Sequence, residues 1–213
     1  MEKPLATQLN PRIISDFASE LLFLVDGESP VQTCVKDGVL INANLSVMRG
    51  KVVDEKGEPV GGVFVSIPSS PEFGQTLTYT DGTFDLLVNG GPTYNIRYRK
   101  RNYLDVDRRI KTKRGDFSWA DRTVLRALDE NRVMVDFSDA ITLVQGSKTS
   151  DKDGDRQLSA LFAKGTKVEF VMQDGSVKEI DDEIHVRITE FTIGEDGFHA
   201  CSSTSGKCLH LRG

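Results

Sequence analysis

The run Asp151-Lys152-Asp153-Gly154-Asp155 sets Asp151, Asp153 and Asp155 at alternate positions, which is how a calcium loop presents oxygens to one ion. Such a loop also requires a glycine at its sixth place and a glutamate at its twelfth, and counting from Asp151 those places hold Arg156 and Phe162. The run therefore reads as a polar turn, with calcium binding as the competing reading. His185 falls on the polar face of an alternating stretch, with no second histidine or cysteine at ligand spacing, and reads as a surface imidazole. Cys34, Cys201 and Cys208 are odd in number and form no C-x-x-C pair, which argues against a disulfide framework or a zinc site and for a reducing compartment at synthesis. Neither a nucleophile elbow nor paired carboxylates on a shared motif occurs, so acyl transfer and glycosidic hydrolysis lack an apparatus. The chain reads as a non-enzyme, with no catalytic, cofactor-binding or metal-ligating residue and no cofactor. One binding chemistry stays open: Trp119, Tyr79, Tyr94 and Tyr98 are rings on which a sugar could stack, although Trp119 reads first as core filling at the end of a sandwich.

These residues must be positioned by short strands. From Val47 the apolar period is two: 47–53, 62–67, 75–80, 83–88, 94–98, 106–111 and 123–128 alternate between turn signals. About seven strands at 8 to 12 residue spacing is the mark of a β-sandwich. The stretch Pro71–Gly91 is the most crowded, with Asp81-Gly82 read as a hairpin turn and Asn89-Gly90-Gly91-Pro92 as a further reversal. Gly74, Gly82, Gly90 and Gly91 flank no helix start, so they bend a sheet and do not cradle phosphate. A second series of strands follows Asp129, at 133–137, 141–144, 158–162, 168–172 and 184–189. Ahead of the sandwich, residues 12–25 carry Ile13, Ile14, Phe17, Leu21 and Leu24 at helical spacing with Ser15 and Asp16 as possible caps, so a short helix is expected there, its end reading equally as strand.

At 213 residues the chain is long enough to bury a packed core, roughly 70% of its extended surface. Its net charge of −5 points away from nucleic acid. The basic run Arg97-Tyr98-Arg99-Lys100-Arg101 and the later Arg108, Arg109, Lys111, Lys113 and Arg114 read as the solvated face of strands, or alternatively as a surface for an anionic partner. The longest apolar run is Leu21–Val25, far below the ~20 residues that cross a bilayer. The amino terminus lacks a basic region leading into an apolar stretch, so no secretion signal is visible and the chain is cytoplasmic at least at synthesis.

The stretches "RGKVVDEKGEPVGGVFVSI" and "PEFGQTLTYTDGTFDLLVNGG", then "YRKRNYLDVDRRI" and a downstream tryptophan, closely resemble the transthyretin-like, carboxypeptidase-regulatory-like β-sandwich beside the shell of bacterial Rhs/YD-repeat proteins and animal teneurins. The flanking "PVQTCVKDGVL", "SDKDGDRQLSALFAKGTKVEF" and "VRITEFTIG" are similar to the surroundings of that module, so the resemblance covers roughly 17–197. It departs at Cys34 and at Asn102, where the family pattern has glycine. The resemblance implies an all-β chain: a lead segment 1–46, a transthyretin-like (prealbumin-like) β-sandwich at 47–129, a smaller fibronectin-plug-like β unit at 130–197, and a tail at 198–213. It implies structural work, closing or plugging a β-shell that encloses a toxin or serves as an adhesion scaffold, in proteins often exported or surface-associated. The implied partner is a downstream β-shell/YD-repeat region or a second copy of the chain.

The tail departs from the family, whose members continue with a methionine-proline pair, a leucine-proline run and Tyr-Thr-Tyr-Ala-Val. Codons able to encode Phe198–Gly213, read one base forward, permit such a run ending in Asn-Ala-Tyr-Thr-Tyr-Ala-Val. The expectation is a frameshift near Gly197 in a once longer gene, leaving Cys201 and Cys208 without function in a disordered tail; a divergent native terminus is the alternative.

Overall fold

Two stacked sheets realise the alternation that begins near Val47. The structure, a computed structural model, describes residues 16–138, 141–151, 154–172, 174–180 and 183–190. The chain divides into two units: Met1–Ala127 with Ile193–Cys208, and Leu128–Thr192 with Leu209–Gly213. The first holds β1 (Gln32–Thr33), β2 (Leu45–Val53), β3 (Phe64–Ser66), β4 (Gln75–Leu77), β5 (Thr83–Asn89), β6 (Thr93–Arg99), β7 (Val106–Lys111), β8 (Asp116–Trp119) and β9 (Thr123–Val124). One sheet has the order β1-β4-β3-β6-β7 and the other β5-β2-β8, with β9 also on β2. Strand β2 pairs antiparallel with β5 and parallel with β8 and β9.

The interior follows from the period of two. Met48 and Val52 of β2, Phe84, Leu86 and Val88 of β5, and Tyr94, Ile96 and Tyr98 of β6 all point between the sheets. There Phe84 meets Tyr98 edge to face, with centroids 5.6 Å apart. The outward-facing Arg97 forks onto Asp107 at 2.8 and 2.9 Å, so this part of the expected basic face is an ion pair on the sheet surface.

Asp81-Gly82 does not close a hairpin: β4 belongs to one sheet and β5 to the other, so the reversal is an arch that carries the chain across the sandwich. Thr78 still pairs across to the neighbouring segment, its amide donating to the Val63 carbonyl at 3.0 Å and its carbonyl accepting from the Gly62 amide at 2.9 Å, while its hydroxyl donates to the Val60 carbonyl at 2.7 Å and accepts from the Val63 amide at 2.9 Å; at Tyr79 the amide turns instead to the Thr83 carbonyl at 2.7 Å. The reversal after Asn89 likewise joins the two sheets. At Gly82 the φ of 77° and the close approach of the Val52 carbonyl leave no room for a side chain.

The outer face of the β5-β2-β8 sheet is covered by the lead segment. Ala18, Leu21, Leu24 and Val31 pack on Leu45, Val47 and Leu87, and Phe17 stands edge-on to Phe117 at 5.7 Å. In place of the expected helix, the described part of 12–25 makes turns, the first held by the Ser19 amide donating to Asp16 Oδ1 at 2.8 Å, and then a 3-10 turn at Leu22–Leu24. Just beyond it, Gln32 is 1% exposed. Its Nε2 donates to the Phe73 and Leu87 carbonyls at 2.6 and 2.9 Å, and its Oε1 accepts the Leu87 amide at 2.6 Å. A side-chain amide thereby occupies the open edge of β5 as a neighbouring strand would.

Cys34 and Asn102, the two departures from the family pattern, have φ of 60° and 66° and are the non-glycine residues with positive φ among those described. Left-handed backbone costs an ordinary residue about 1–2 kcal/mol and asparagine less. Cys34→Gly is therefore expected to raise stability by about 1 kcal/mol and Asn102→Gly by under about 0.5 kcal/mol, read as shifts of the urea midpoint at constant slope. Equal effects would contradict the ranking.

The second unit consists of β10 (Val133–Val135), β11 (Ile141–Gln145), β12 (Thr149–Asp151), β13 (Gly154–Arg156), β14 (Ser159–Ala163), β15 (Val168–Val171), β16 (Val177–Ile180) and β17 (Ile184–Val186). They form two-stranded pairs, β10-β17, β11-β14, β12-β13 and β15-β16. Among its described residues only Val135, Val144 and Val186 are buried hydrophobics. Such a core is small for a free-standing domain.

Candidate functional site

Reading across the outer face of the four-stranded sheet shows why a groove forms. Strand register sets Leu87, Val47 and Phe117 in one row and Asp85, Arg49 and Trp119 in the next, with Thr83 and Lys51 beyond. The first row is apolar and lies under the lead segment. The later rows are polar, and there the cover stops at Phe23 and Leu24. A groove of about 650 Å³ opens between them, lined also by Gly50, Tyr79, Ala120 and Arg122.

Arg49 organises its floor. Its Nε and Nη2 donate to the two Asp85 oxygens at 2.6 and 3.1 Å, a bidentate fork that raises the guanidinium pKa above its ordinary value. The same guanidinium lies 4.8 Å from the Phe117 ring centroid and 5.9 Å from that of Trp119. Burial, then the neighbouring Asp85, pushes the Tyr79 phenol up to about 12, so it stays protonated at neutral pH.

The structure corrects two aromatic readings. Trp119 is 71% exposed and is not core filling: it alternates with the buried Ser118 on β8, a strand the sequence reading missed. Tyr94 and Tyr98 are interior, Tyr94 donating its hydroxyl to the Asn89 carbonyl at 2.8 Å, so neither can receive an external ring. Tyr79 is also buried, although it borders the groove. Arg49 and Lys51 went unnoticed, yet a signal existed: the odd positions of β2 run Leu45, Val47, Arg49, Lys51, a switch of polarity on one face.

The other candidates lie apart. Gly154, with φ of 107°, opens β13 opposite Asp151, while Asp155 accepts from Lys148 Nζ at 2.7 Å and Ser150 Oγ at 2.5 Å, which hold its carboxyl below its ordinary pKa. The Asp153 position and the Asp151 side chain fall outside the described residues, as do Cys201, Cys208, His199 and His210. Among the described residues no group of three or more His, Cys, Asp or Glu could hold a metal ion. His185 is exposed on β17 opposite Met134, and Cys34 is exposed. No helix among the described residues is long and apolar enough to cross a membrane.

Two facing sheets with a mixed β5-β2-β8 layer and arched connections define a transthyretin-like β-sandwich. Residues 40–125 match the family described as Teneurin TTR-like domain. Teneurin-m of Drosophila melanogaster is 31% identical over 125 residues, which are 59% of this chain and 4% of that protein. Human Teneurin-4 is 33% identical over 81 residues, 38% of this chain and 3% of that one, and Teneurin-1 of Gallus gallus is 28% identical over 140 residues, 66% and 5% respectively. The chain thus spans only a few per cent of the relatives it resembles.

Proposed function

We propose that this chain is a non-catalytic structural module of an Rhs/YD-repeat, teneurin-like shell protein, its sandwich (47–129) followed by a plug-like unit (130–197) that closes the shell. The supporting observation is apolar surface on the second unit. On the face of the β11-β14 hairpin turned away from Val144, Ile141, Leu143 and Leu161 are 67%, 49% and 71% exposed, with Leu143 directly across from Leu161. Val171 and Val177, a cross-strand pair of β15-β16, are exposed as well. Contiguous apolar surface of this kind marks a contact face, and a core of three buried valines gives the unit little reason to stand alone.

Without a shell, those faces should find each other. Light scattering of the full chain is expected to show a mass rising with concentration toward about twice the monomer. The double substitution Leu143→Glu with Leu161→Lys, which keeps a favourable cross-strand pair, should hold the mass flat. A wild-type chain that stays monomeric at high concentration would count against the contact face.

A second reading, that the sandwich by itself holds a sugar, is favoured by Trp119, whose exposed indole borders a groove of mixed apolar and polar lining. A sugar titration followed by Trp119 fluorescence tests it, with no shift expected of a purely structural module.

A further inference from the structure

Resting on the sugar-holding reading, we propose that the groove of the β5-β2-β8 sheet takes a glycan of the uronic acid class, its ring on Trp119 and its carboxylate on Lys51. The first argument is charge. Arg49, Lys51 and Arg122 line the groove against the single carboxylate of Asp85, in a chain whose net charge is −5. The sign of this patch is opposite to that of the whole molecule, so it draws an anion out of solution.

The second argument is which groups remain free. Arg49 is committed to Asp85 at 2.6 and 3.1 Å, and Thr83 Oγ1 to Asp81 at 2.6 Å. Lys51 lies in the row beyond Arg49, exposed, with no hydrogen bond or ion pair to the described residues. One uncommitted ammonium suits one carboxylate. A phosphate carries nearly twice that charge and favours several uncommitted donors, whereas here Arg49 is committed to Asp85 and Arg122 also interacts within the protein.

The third argument is the ring. An indole 71% exposed on a rigid strand offers a flat apolar surface, and its position in the row next to Arg49 is held by β2-β8 pairing. A pyranose has an apolar C–H face to lay on it and hydroxyls to direct at the polar row. A purely apolar ligand would instead strip water from Lys51 and Asp85 without replacing it. At about 650 Å³ the groove has the size of an oligosaccharide subsite.

The chain's single tryptophan makes the test site-specific. The full chain is titrated with trigalacturonic acid, with its fully methyl-esterified form, and with adenosine monophosphate, following Trp119 emission. Saturable binding of the acid, ~tenfold weaker for the ester, is expected. Lys51→Gln, at an exposed position, should lower affinity for the acid ~tenfold and leave the ester unchanged, and circular dichroism would show the fold retained. Equal binding of acid and ester overturns the acidic assignment and leaves the sugar reading standing. Tighter binding of adenosine monophosphate overturns the glycan assignment. No response to either sugar overturns both.

Discussion

Gly74→Ala is expected to cost at least about 4 kcal/mol, enough to unfold a marginally stable domain. Gly74 has φ of 68° and ψ of −143°, a region open almost only to glycine, and that alone costs about 1–3 kcal/mol. A Cβ there would also overlap the Thr33 carbonyl oxygen and stand 2.7 Å from the Cys34 carbonyl carbon. Both are backbone atoms tied to the β1-β4 pairing, so neither can step aside. The control is Gly57→Ala: φ is 83° but nothing lies within 4 Å, so only the conformational cost of about 1–2 kcal/mol remains. Urea unfolding of the two variants separates the effects, and similar midpoints would refute the role of close approach.

Removing the Gln32 amide should be nearly as severe. Gln32→Leu keeps the volume and deletes three hydrogen bonds, leaving the Leu87 amide and the Leu87 and Phe73 carbonyls buried without their partner, at a total of about 3–5 kcal/mol. Gln32→Glu gives the sign a second test. An ionised carboxylate accepts from the Leu87 amide but cannot donate to either carbonyl, and burial raises its pKa. Stability of that variant should therefore fall as pH rises through the raised pKa and recover in acid, where the protonated group donates again. Wild-type-like stability of Gln32→Glu with no pH response would show that the amide's donors are dispensable.

The layers of this molecule were legible in the sequence because alternation reports which side chains face inward, whatever the pairing. Tyr94, Ile96 and Tyr98 point inward while Arg97 and Arg99 point out, as the period of two requires. Pairing partners were not legible. A tight turn such as Asp81-Gly82 looks the same whether it closes a hairpin or arches between sheets, since the difference lies in the partners outside the turn, β3 for β4 and β2 for β5. The cover of Ala18, Leu21 and Leu24 showed as an apolar stripe, but its target, Leu45, Val47 and Leu87, shows only in the fold. Trp119 was misplaced because aromatic residues flanking a serine fit either a core or a face. Its register beside Arg49 decides, and that register is a long-range fact.

The pairing of β2 with β8 brings Ser46 beside Asp116, 70 positions along the chain. Closing so wide a loop is paid in entropy before any contact rewards it, so the sandwich belongs with slow, high-contact-order folders. During synthesis, β2 has one flank bare until residue 119 is made and free to dock. Ribosome pausing in that interval would expose the strand to pairing with another nascent chain, which makes translation speed between β5 and β8 a determinant of how much protein reaches the native state.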